Sequence, residues 1–145
     1  NTGKKLVSIE DETNKRNRLV MEKFVKKYGW DSFRDSESIV IENLSDFDEC
    51  VFDTNCGVVL RNENITNLKK NSLVILLTCD LKIIASRMKS KKLPFSIKST
   101  ETIRALLQEY ESKYKKAADY MIDTSNLSSE ETCSLIMHYI QMEIQ

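Results

Sequence analysis

Two short stretches hold most of the side chains in this chain that could do chemistry. The first runs Lys26-Lys27-Tyr28-Gly29-Trp30-Asp31-Ser32-Phe33-Arg34-Asp35-Ser36-Glu37, and the second Asp53-Thr54-Asn55-Cys56-Gly57-Val58-Val59-Leu60-Arg61. Arg34 and Glu37 stand three residues apart, the spacing of an ion pair on a helix face. Spacing alone favours an ordinary surface pair. A guanidinium, however, also presents a planar fork that matches a carboxylate with two parallel hydrogen bonds. The remaining reactive side chains are less organised. Cys50, Cys56, Cys79 and Cys133 form no Cys-x-x-Cys pair, and the single His138 cannot complete a usual Cys/His zinc set. Four reduced thiols are expected. No neighbour in sequence forces the Cys56 thiol to a low pKa, and His138 reads as an ordinary helical histidine.

The elements that must position these residues alternate between strand and helix. Lys5–Ile9 is a short strand, and Asp11–Tyr28 a charged helix or helix pair with a solvated face. Trp30–Leu44 is helical, with Phe33, Ile39, Val40 and Leu44 as its apolar positions and Trp30 as a core anchor. Glu49–Thr54 is a strand and Asn62–Lys70 a short helix. Leu73–Cys79 is continuously apolar, as a strand buried on both faces is. Asp80 caps a helix to Lys89, and residues 90–99 form a basic loop around Pro94. Thr100–Ala118 is a helix, with Ile103, Leu106, Leu107 and Tyr114 in register. Tyr120–Thr124 is the last strand. Ser128 or Ser129 opens a final helix, with Glu131 placed for a capping box. Strands alternating with helices predict parallel βαβ units in one α/β domain over residues 1–145.

Composition narrows the function classes. The chain has 145 residues, with 22 basic and 22 acidic side chains, so it lacks the basic excess of a nucleic-acid footprint. No apolar run reaches the roughly 18 residues needed to span a bilayer. The opening residues show no signal-peptide pattern, so a reducing compartment, the cytoplasm or an organelle interior, is expected. The three Asn-x-Ser/Thr sequons, at Asn43, Asn64 and Asn126, are treated as chance matches.

Five signatures in order resemble the shikimate kinases, small kinases of the P-loop nucleoside-monophosphate-kinase type. They are Tyr28-Gly29-Trp30-x-x-Phe33-Arg34-x-x-Glu37; Gly57-Val58-Val59-Leu60-Arg61-x-Glu63-Asn64; and Leu76-x-Thr78 before a helix. Then come Leu106-Leu107 with Tyr114 and Ala118-Asp119, and Ile122-Asp123-Thr124-Ser125-x-Leu127-Ser128-x-Glu130-Glu131. The resemblance implies a three-layer parallel sheet flanked by helices. It implies that Arg34 binds the shikimate carboxylate, supported by Glu37. Glu10 would accept hydrogen bonds from ring hydroxyls, and Gly57 would lie against the substrate. Asp123 would mark the neighbourhood of the adenine pocket.

The sequence also departs from the family pattern. Ser8 stands where the family has a metal-linked Asp, and Asn55 and Cys56 where it has glycines. Leu93 replaces a lid Arg before Pro94, leaving Lys89, Lys91 and Lys92 as the loop's cations. Tyr110 replaces a second substrate Arg. Asn1-Thr2-Gly3-Lys4-Lys5 is no Gly-x-x-x-x-Gly-Lys-Ser/Thr loop. The first strand and P-loop are therefore expected to be missing, which would separate two strands that the absent one should join. The expectation is a catalytically degenerate homologue serving as a binding or assembly module, with no catalytic residue and no metal ligand of its own. A protein partner or an N-terminal segment would complete its sheet. The alternative is an active shikimate kinase whose P-loop lies in residues not shown, and only then are ATP and Mg²⁺ expected.

Overall fold

The computed structural model describes residues 2–89 and 99–145, except for the side chain of Lys89. It divides into two compact units, Asn1–Ser72 and Leu73–Gln145. In the first unit, β1 (Lys5–Ser8) runs directly into α1 (Ile9–Asn17). Ser8 serves both elements: its backbone is extended, and its Oγ accepts the Asp11 N–H to cap the helix. Glu10, Asp11 and Glu12 in the first turn and Lys15 and Arg16 in the last complement the helix dipole. Arg18 ends α1 in the left-handed region, at φ 52°. The charged stretch is thus a helix pair, α1 followed by α2 (Met21–Tyr28). Gly29, at φ 86°, then turns the chain into α3 (Trp30–Leu44), a conformation that glycine adopts without a Cβ penalty.

β2 (Cys50–Asp53) pairs in parallel with β1, from Lys5 opposite Cys50 to Ser8 opposite Asp53. A 3₁₀ turn over Cys56–Leu60 and α4 (Asn62–Leu68) follow. The unit buries Val7, Ile9, Phe33, Val40, Ile41, Val58, Val59 and Leu68. Along α3 the buried stripe is Phe33, Glu37, Val40 and Ile41, with the helical spacing i, i+4, i+7, i+8. Ile39 falls off this stripe and is exposed, whereas the expected apolar set had included it. The phase is fixed by Phe33 and Val40, and it carries a carboxylate, Glu37, into the core.

In the second unit, β3 (Ile75–Thr78) and β4 (Tyr120–Asp123) form another parallel ladder, Ile75 opposite Tyr120 through Thr78 opposite Asp123. Helices α5 (Leu81–Lys89), α6 (Thr100–Ala117) and α7 (Ser129–Ile144) accompany it. Ser99 caps α6. Ser128 Oγ accepts the Glu131 N–H while Glu131 accepts the Ser128 N–H, the expected capping box. Ile103, Ala117 and Ile122 are the buried apolar side chains. The expectation that Leu73–Cys79 is buried on both faces is corrected at Leu77, which is half exposed. Its ladder has two strands among the described residues. The α/β class with parallel strands is as expected.

Among the described residues, no helix is long and apolar enough to cross a membrane. All four cysteines are free thiols. The basic loop, with Leu93, Pro94, Lys91 and Lys92, lies outside the described residues.

Candidate functional site

The ends of β1 and β2 lie side by side because the pair is parallel, so the residues that follow Ser8 and Asp53 converge. Ligands of α/β sheets bind at this C-terminal edge of the strands. Glu10, in the first turn of α1, follows β1; Asn55, Cys56 and Gly57 follow β2; and α3 adds Arg34 and Glu37.

Arg34 and Glu37 are not the surface pair that spacing alone favoured. The Glu37 side chain is fully buried and that of Arg34 is 12% exposed. One guanidinium nitrogen, Nη1, donates to both Glu37 oxygens, at 2.9 Å to Oε1 and 3.1 Å to Oε2. Asn55 completes the cluster: its Nδ2 donates to Glu37 Oε2 at 2.6 Å, and its Oδ1 accepts from Arg34 Nη1 at 3.3 Å. Oδ1 also accepts the Gly57 N–H at 3.2 Å and so caps the 3₁₀ turn. Burying a carboxylate is costly unless it is paired and hydrogen-bonded, and here the two partners supply both.

Two aromatic rings flank the guanidinium. Arg34 Cζ lies 5.0 Å from the centre of the Trp30 ring and 5.5 Å from that of Phe33. Trp30 meets Phe33 edge-on and is 37% exposed, so it forms a wall for Arg34 as much as a core anchor. On another side is Gly57, which is buried. A Cβ built there would overlap Arg34 Nη2 and Cζ. The bare backbone at Gly57 leaves room for the Arg34 guanidinium. Among the described residues, Nε and Nη2 of Arg34 make no hydrogen bond, and these two donors form the side-on fork that a carboxylate can engage.

The Glu10 carboxyl is pushed up from its ordinary range, first by burial and then by the negative charges of Asp11, Glu37 and Asp53. It therefore belongs to the same electrostatic neighbourhood as Glu37. Cys56 is exposed as a residue. Crowding of its thiol pushes the pKa up and outweighs the downward pull of Arg34; the exposure makes this a modest effect. The thiol is not primed for nucleophilic attack. Among the described residues, no group of three His, Cys, Asp or Glu side chains could hold a metal. An open depression of ≈490 Å³ between α1 and α3, lined in part by Lys15, Arg16 and Arg18, contains none of these site residues.

The other expected positions belong to the second unit. Tyr110 packs its ring edge-on against Tyr114. Asp123 accepts from the Ser125 N–H and Oγ, bonds that hold its carboxyl below the usual range. Ser125 Oγ in turn accepts the Asp80 N–H. Asp123 thus builds the turn after β4. Sequence reasoning identified Arg34, Glu37, Glu10 and Gly57 but counted Asn55 only as a departure. The available signal was its position two residues before Gly57, the offset of an Asx turn.

A sequence model described as "SKI: Shikimate kinase" matches residues 1–141. The shikimate kinase of Pelotomaculum thermopropionicum is 34% identical over 112 residues, covering 75% of this chain and 64% of that protein. That of Thermodesulfovibrio yellowstonii is 31% identical over 134 residues, covering 90% of this chain and 77% of that protein. This chain therefore spans just under two thirds of the first relative and more of the second. Among solved structures, a shikimate kinase from Acinetobacter baumannii in complex with shikimate matches with a TM-score of 0.86 at 21% identity, over 97% of this chain and 80% of that one. The Aquifex aeolicus enzyme matches with 0.74 at 18% identity, over 97% and 83%. At such identities these structures establish the fold.

Proposed function

The chain belongs to the shikimate kinase family, and from that premise we propose that it is the acceptor-binding part of an active shikimate kinase. The reaction is transfer of the ATP γ-phosphate to the shikimate 3-hydroxyl, a step of chorismate biosynthesis. The observation that carries the reading is the half-engaged guanidinium. Glu37 and Asn55 hold Nη1, while Nε and Nη2 make no hydrogen bond among the described residues. Shikimate offers a carboxylate for that fork and ring hydroxyls that Glu10 can accept from. Binding through two parallel N–H bonds fixes the ring's orientation as well as its charge, and phosphoryl transfer depends mainly on such positioning.

The degenerate-module reading loses ground at Asn55, which supports the Arg34–Glu37 pair. The residues given contain no Gly-x-x-x-x-Gly-Lys-Ser/Thr run, and no metal cluster occurs among the described residues. These residues therefore include no phosphate loop of that type for ATP. The active reading places the phosphate loop in residues outside these 145, and no step is derived through it.

Isothermal titration with shikimate tests the acceptor role. Wild type should bind saturably, and Arg34→Lys should bind at least about tenfold more weakly, because a point charge replaces two charge-assisted bonds of about 1.5–3 kcal/mol each. A folded chain that ignores millimolar shikimate, or a Lys variant of equal affinity, would end this reading. A coupled ATP assay on the polypeptide from its full reading frame tests the transfer itself.

A further inference from the structure

We infer that the open depression between α1 and α3 is a binding site for a small organic phosphate, gripped by the guanidiniums of Arg16 and Arg18. The site shares no residue with the acceptor cluster, so it stands or falls independently of the shikimate reading.

On a continuing helix, residues two apart do not face each other. α1 instead ends at Asn17, and Arg18 takes the left-handed conformation, at φ 52° and ψ 31°. Arg16 and Arg18 both line the same depression, of ≈490 Å³. Glycine is the usual residue at such a helix end, because a Cβ is penalised there. An arginine held in that conformation places a cation at the rim at a cost in stability, the kind of strain that functional sites retain. Among the described residues, neither guanidinium has an ion pair or a hydrogen-bond partner. Lys15, the third cation, is engaged by Glu12 at 2.8 Å. Three cations against one carboxylate and the roughly half negative charge at the carbonyl end of α1 leave the depression positive.

The donors select the anion. One guanidinium fork satisfies a carboxylate, whereas two forks need an anion with further acceptor oxygens, as a phosphate has. The volume falls in the range of about 300–1,000 Å³ that small ligands occupy. Val40 and Leu44 supply an apolar wall for an organic body.

Phenylglyoxal modification of arginines, mapped by peptide mass spectrometry on the polypeptide from its full reading frame, reads this site separately from any phosphate loop. Phenyl phosphate should protect Arg16 and Arg18 saturably, while the exposed Arg104 on α6 serves as the unprotected reference. Inorganic phosphate should protect at higher concentration, and benzoate not at all at matched ionic strength. Arg18→Gly should melt no lower than wild type, since glycine relieves the left-handed backbone, yet protection of Arg16 should need about tenfold more phenyl phosphate, because one charge-assisted fork is lost. Arg18→Lys, which keeps the charge without the fork, should weaken protection in the same direction and serves where the glycine variant does not fold. Arg16 and Arg18 modified at the same rate with and without phenyl phosphate, equal protection by benzoate, or wild-type protection of Arg16 in both Arg18 variants each overturns the inference.

Discussion

Gly57→Ala puts the packing around Arg34 to a test in which even the sign is informative. Gly57 is not among the glycines with positive φ, so alanine can adopt its backbone. Were there space, the substitution should stabilise the protein by about 0.4–1 kcal/mol, because alanine has less unfolded-state freedom to lose. There is no space: the new Cβ would lie within 3.0 Å of Arg34 Nη2 and Cζ and 2.5 Å from Nη1. Ordinary contact requires the guanidinium to retreat by about 1 Å. The retreat stretches the 2.9 Å bond from Nη1 to a fully buried Glu37. Removing one partner of a buried pair costs roughly 3–5 kcal/mol. A displaced but still nearby charge should lose part of that, so we expect about 1–3 kcal/mol of destabilisation. In urea, with a slope of about 1–3 kcal/mol per molar, the midpoint should fall by about 1 M at unchanged slope. Shikimate affinity should fall at least about tenfold with it, since the fork is moved. A higher midpoint with unchanged affinity would refute the collision and with it the account of why glycine stands at 57.

Two further outcomes follow from single residues. The Glu10 carboxyl is raised in the folded chain, by burial first and then by Asp11, Glu37 and Asp53. The native state therefore holds that proton more tightly than the unfolded one. The resulting stability is full below the unfolded pKa and is lost as pH rises through the raised folded value. Glu10→Gln should accordingly melt higher than wild type at pH 7 and no higher at pH 3.5, by paired thermal melts; a pH-independent difference would contradict the assignment. Ser128→Ala removes the side-chain half of the capping box on α7 and should cost about 1 kcal/mol by urea titration. An unchanged midpoint would mean that the cap contributes nothing measurable.

Sequence by itself determined what depends on near neighbours. Trp30–Leu44 was readable as a helix with its observed bounds, since Gly29 and a 3.6-residue apolar period mark it. The Ser128–Glu131 box was readable for the same reason, because capping joins residues three apart. The order of short motifs carried the family, and the alternation of strand and helix carried the parallel ladders. Even along α3, local pattern did not fix the phase, and Ile39, one of the apolar positions, is exposed.

Only the tertiary structure decided what Arg34 and Glu37 are. Their i,i+3 spacing suits a solvated pair as well as a buried one, and burial depends on which face of α3 meets the core. Asn55 reaches Glu37 across 18 residues of sequence, and Gly57, in the 3₁₀ turn, meets Arg34 on α3. Such partners meet because the strand ends converge beside α3, a distance relation that no periodicity encodes. Sequence could name Arg34 as a carboxylate-type donor; the fold determined that one nitrogen is held by Glu37 and Asn55 while the other two donors make no bond among the described residues.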